Sequence, residues 1–116
     1  MLTLKQDHSE LVVLSVLAEG PSYGYAIGKS IASRSEEHFK LSASGMDPLL
    51  TKLEKNGLVS TSWEEVKAAT ADPDSTGRRR KWYTLSDKGR KQLAKRIEHH
   101  RQVQSILDGF VLQIES

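Results

Sequence analysis

The chain contains no cysteine in 116 residues, which excludes a disulfide framework and a thiolate zinc site and makes a reducing cytoplasm its expected setting. It lacks any apolar run long enough to cross a bilayer, and its opening MLTLKQDHSE has neither the basic start nor the long apolar stretch of a signal peptide. A soluble, intracellular protein is the expectation. The usual markers of catalysis are missing too: there is no glycine-rich phosphate loop, no cysteine nucleophile, no serine-elbow motif and no metal-ligand spacing. The neighbours His99 and His100 would point about 100° apart on a helix, so they cannot chelate as an i, i+4 pair would, and solvated or interface roles suit them better. Neither an enzyme nor a cofactor is expected.

Apolar residues, at 37%, are few for a self-sufficient core, and 116 residues suit one compact domain, so a partner chain is expected to complete the burial. The net charge of +2 conceals an asymmetry. Arg78 to Arg101 holds ten Lys/Arg against Asp87 and Glu98, a local balance of +8 that leaves −6 for the remainder. A cationic segment on an otherwise acidic chain points to a polyanion.

LVVLSVLA, from Leu11 to Ala18, is apolar nearly all round and is stopped by Gly20-Pro21, which predicts a buried first helix. A second helix is expected from Ser22 as N-cap to Ser33, with Tyr23, Ile27 and Ile31 on one side. In a third, Met46, Leu49, Leu50 and Leu53 follow i, i+3, i+4, i+7, and Gly57 is a natural stop. Ser42 or Ser44 could cap it, although Pro48 sits most comfortably at the first helical position with Asp47 as the cap. Leu58 to Trp63 and Lys81 to Leu85 read as paired strands around a polar, turn-rich tip, KAATADPDSTGRRR. Trp82 and Tyr83 must face opposite sides of their strand, so only one of them can point inward. Ser86 or Asp87 can cap a last helix running almost to the C-terminus. Its apolar line through Ile97, Val103, Leu107, Phe110, Val111 and Ile114 calls for a partner helix.

Three helices followed by a two-stranded hairpin and a long helix make a mainly α fold, a winged helix-turn-helix over residues 1–85 with a C-terminal dimerisation helix over 86–116. In that arrangement the third helix enters the major groove and the hairpin, or wing, reaches phosphates or an adjacent groove. The candidate contacts are Ser42, Ser44, Gly45 and Met46 for base readout, and Lys52 with Arg78, Arg79, Arg80 and Lys81 for phosphate. Ser22, Tyr23 and Tyr25, at the start of the second helix, would orient the protein on DNA. By strand alternation about half of the wing cations should face DNA. A winged module that binds protein instead is the rival reading; it would not need four successive cations on the wing.

LVVLSVLAEGPSYGYAI, PLLTKLEKNGLV and GRRRKWYTLSDKGRKQL together resemble the PadR family of regulators, over roughly Leu11 to Leu93. The Gly24-Tyr25 pair, the Leu-x-x-Leu-Glu-x-x-Gly-Leu sequence from Leu50 to Leu58 and the ending Tyr83-Thr84-Leu85-Ser86-x-x-Gly89 carry that likeness in combination. The resemblance implies a homodimer of the short type, with a single C-terminal helix, binding an inverted-repeat operator in double-stranded DNA, usually to repress. It also implies a small aromatic or cationic effector near the dimer interface. Where the family commonly places Tyr before Pro-x-x-Leu, this chain has Asp47. An acid there would repel phosphate but stabilise its own helix N-terminus, so the cap is its expected role.

Overall fold

A computed structural model describes residues 5–65 and 79–115. Six elements follow in order: α1 (Gln6–Ala18), α2 (Gly24–Arg34), α3 (Ala43–Lys55), β1 (Val59–Glu65), β2 (Arg79–Leu85) and α4 (Asp87–Glu115). The turn-rich wing tip lies outside the described residues, and Arg78 with it.

One core joins all six elements. Val13, Leu14 and Leu17 of α1, Ile27 and Ile31 of α2, and Met46, Leu49, Leu50 and Leu53 of α3 are buried together with Leu58, Val59, Tyr83, Leu85 and Leu93. The strands are antiparallel, with Val59 opposite Leu85 and Trp63 opposite Lys81. Side-chain alternation therefore puts Leu85 and Tyr83 on the core face and Thr84 and Trp82 on the other, so Tyr83 is the aromatic that points inward. The Trp82 ring packs edge-on against Tyr23, 5.0 Å between centroids.

Two helix starts differ from the sequence expectation. Ser22 does not cap α2. Its N–H and carbonyl exchange hydrogen bonds with Tyr83, at 3.0 and 2.7 Å, so it adds a one-residue third strand to the wing, and Tyr23 takes the cap position without a side-chain bond. Helix α3 begins five residues before the favoured Pro48 start. Ser42 is its N-cap, the hydroxyl accepting from Gly45 N–H, and Pro48 lies inside the helix. The early start puts Met46 on the same buried stripe as Leu49, Leu50 and Leu53, and that burial outweighs the hydrogen bond Pro48 cannot donate.

The end of α3 and the start of α4 are tied to each other. Gly57 takes the left-handed conformation after the Asn56 C-cap, with φ 73°. Ser86 Oγ donates to Gly57 O (2.6 Å) and accepts from Gly89 N–H (2.9 Å), Ser86 N–H donates to Leu58 O (3.0 Å), and Lys88 Nζ reaches Asn56 O (2.8 Å). A Cβ on Gly89 would run into the Leu58 carbonyl, so only glycine allows this approach. Towards its C-terminal end α4 leaves the body of the domain: Ile106, Phe110 and Ile114 are 63%, 70% and 85% exposed.

Candidate nucleic-acid interface

The outward face of α3 is built by default, since its buried stripe commits the opposite side to solvent. Ser44, Pro48, Thr51 and Lys55 occupy that side, all exposed. Ser42 and Ser44 share a hydrogen bond between hydroxyls at 3.0 Å at the helix start, with exposed Gly45 beside them. Small side chains at a helix N-terminus, where N–H groups lack helical partners, allow close approach to an acceptor-rich surface. Met46, expected among the readout residues, is 2% exposed and belongs to the core. Asp47, expected as the cap, sits exposed in the second turn and has no capping geometry.

The cations divide into engaged and outward-facing groups, a division that the run of charges alone conceals. Lys52 lies 2.9 Å from Oε2 of Glu10, a carboxylate only 4% exposed, whose Oε1 takes Arg96 at 2.7 Å. This acid in α1 thus binds α3 to α4. Lys81 turns back to Glu54 on α3 at 3.2 Å, where Thr61 Oγ1 also donates at 3.1 Å. The Lys81 hydrogen bond is the chief cause holding the Glu54 carboxyl below its ordinary pKa of 4.5, with desolvation opposing it and Thr61 assisting. Arg80 meets Glu64 at 3.3 Å and lies against the Tyr23 ring, 4.3 Å from its centroid. Arg79, exposed on the opposite face of β2, stacks 4.3 Å from the ring centroid of Trp63 and forms no ion pair among the described residues.

Arg79 and Lys81 share one face of β2 and Arg80 takes the other, and acids engage one cation on each face: Glu54 of α3 holds Lys81 and Glu64 of β1 holds Arg80. Tyr25 is 39% exposed at the start of α2 with Lys29 Nζ 5.4 Å from its ring centroid, whereas Tyr23 is half-buried against Arg80 and Trp82 of the wing. Of the residues expected at a dimer interface, Ile97 packs against the chain's own core, while Val103, Leu107, Phe110, Val111 and Ile114 are exposed. Sequence reading missed Glu10, Glu54, Glu64 and Trp63. Glu10 closes the polar stretch before the apolar run LVVLSVLA, so no local pattern marks it as buried.

Comparison with known proteins agrees with this architecture. Residues 13–95 match the model of the transcriptional regulator PadR-like family. A transcriptional regulator from Clostridium thermocellum superposes with a TM-score of 0.77 at 24% identity, covering 91% of this chain and 95% of its own. A Streptococcus mutans protein gives 0.75 at 30% identity, covering 95% and 92%. A PadR family transcription regulator from Clostridium difficile gives 0.67 at 24%, covering 88% and 96%. The matched segment spans α1 residue 13 to the first third of α4, the helices and wing that build the surface described above. The chain belongs to the PadR-like family of transcriptional regulators.

Proposed function

We propose that this regulator is a DNA-binding repressor acting as a homodimer on an inverted-repeat operator. The observation that carries the reading is the exposed polar face of α3, from Ser42 to Lys55, in a fold whose wing presents Arg79 to solvent on Trp63. Ser42, Ser44, Gly45 and Thr51 would read base edges, while Arg78, Arg79 and Lys55 supply phosphate attraction and Tyr25 orients the domain. Lys52, Arg80 and Lys81 contribute less, because carboxylates already engage them.

Dimerisation is supported by the outer half of α4, where Leu107, Phe110, Val111 and Ile114 would otherwise remain in water. An apolar groove of about 790 Å³ beside α1 and the end of α2, lined by Leu11, Val12, Ile31 and Phe39, has matching chemistry. Of the effector classes implied by the resemblance, the aromatic suits the cleft between α1 and α4 better than the cationic, because Lys5, Lys95, Arg96 and three histidines line it against Asp7.

Selection of duplexes from random DNA tests the reading. Recovery of a palindromic consensus, with half-sites about one helical turn apart, is the expected result. Truncation after His100 should give monomers with much weaker affinity. Failure of the full chain to enrich any sequence, or binding of a protein partner by the same α3 face, would overturn the proposal.

A further inference from the structure

We infer that Arg80 is a positioning residue that holds the wing at a fixed angle to the start of α2, leaving Arg79 as the described wing arginine that meets phosphate. The inference rests on the DNA-binding reading above. The two arginines adjoin in sequence but face opposite sides of β2. The Arg80 side chain is only 14% exposed: its guanidinium covers the Tyr23 ring, and its NH1 lies 3.3 Å from Glu64 Oε1. Trp82 Nε1 donates to the same oxygen at 3.3 Å, and the Trp82 ring meets Tyr23 edge-on. Four side chains from three segments thus close on one another.

Their position gives the cluster a mechanical role. The Ser22–Tyr83 backbone bridge fixes the separation between the wing and the α2 start, but two hydrogen bonds at a single residue pair resist twisting poorly. Tyr23, Glu64, Arg80 and Trp82 fill one side of that bridge and prevent rotation about it. Moving Arg80 to a phosphate would break a charge-assisted hydrogen bond and a cation–π contact, and would leave the Glu64 carboxylate facing the same phosphate. Arg79 has the converse geometry, its exposed planar group lying on an exposed ring.

Phosphate contact and positioning have different signatures in the salt dependence of binding. With full-length protein and a duplex selected by the wild type, affinity is measured across a potassium chloride series. Arg79→Ala, which removes one phosphate contact from each protomer of the dimer, should reduce the slope of log affinity against log salt by about two. Arg80→Ala should keep the wild-type slope while weakening affinity about three- to thirtyfold, the range for loss of a cation–π contact. Arg80→Lys should recover little, because a lysine retains the charge but not the planar stack. Glu64→Gln, at a half-exposed position that leaves the core intact, should weaken binding similarly and add nothing to Arg80→Ala. A flattened slope for Arg80→Ala, full rescue by lysine, or additive Glu64 and Arg80 effects would each overturn the inference alone. A wild type without DNA affinity at any salt overturns the function reading and this inference together.

Discussion

Replacing Glu10 tests how the three helices that frame the domain are joined. Its carboxylate is nearly enclosed, yet its two cationic partners are not: the Arg96 side chain is 30% exposed and that of Lys52 52%. Removing one member of a fully buried pair costs about 3–5 kcal/mol, because the survivor is left charged and unsolvated, whereas an exposed pair is worth about 0–1 kcal/mol. In Glu10→Ala both survivors can recover water, Lys52 more easily than Arg96, which places the loss between these limits at about 2–3 kcal/mol. For a domain of this size that lowers the melting temperature by about 10 °C. Glu10→Gln retains the shape and one acceptor, so its loss should be smaller than that of alanine. Lys52→Ala should cost least, because its ammonium is already half in water. Urea unfolding at fixed protein concentration measures all of these while holding any contribution from association constant. A Glu10→Ala variant within 0.5 kcal/mol of wild type, or Lys52→Ala exceeding it, would refute the idea that this carboxylate joins α1, α3 and α4.

Three further outcomes are expected. Gly89→Ala should destabilise by about 3 kcal/mol or more in chemical denaturation, because the methyl group meets a backbone carbonyl that cannot rotate away. Ser86→Ala should cost about 1–2 kcal/mol, since one hydroxyl both caps α4 and donates to Gly57. Glu54 has a folded-state pKa below 4.5, so its contribution is fully present above that value and lost as pH falls through the lower folded value. The melting-temperature gap between wild type and Glu54→Gln should therefore be constant from pH 8 to about 5 and close in stronger acid. A gap that widens on acidification would reverse that sign.

The periodic parts of the sequence were the most legible. Met46, Leu49, Leu50 and Leu53 announce α3 because a helix must bury one stripe, and Gly57 stops it because few other residues take a left-handed φ cheaply. The start of α3 is where two local signals compete: Asp-Pro is a strong start signal, yet the apolar stripe already includes Met46, and the helix follows the stripe back to the Ser42 cap. Ser22 has the chemistry of a cap but is held by Tyr83, a partner 61 positions away that no local pattern reveals. The arginine-rich wing was visible as charge. Its division was not, since Glu54 and Glu64 meet Lys81 and Arg80 only once the strand register is fixed. Glu10 was hidden for the same reason, with its partners 42 and 86 residues along the chain.

The hydrogen bonds that fasten the first turn of α4 to the end of α3 make the long helix a lever rooted at α3. At 1.5 Å per residue, its 29 residues extend about 43 Å, so a tilt of about 5° at the root displaces the far tip by about 4 Å. The same ratio works in reverse: in the proposed dimer, a shift of a few ångströms where two tips would meet would become only a small rotation of α3 against DNA. The spacing between paired reading heads would then tolerate considerable play at the tips, while the root at Ser86 and Gly89 has to be stiff.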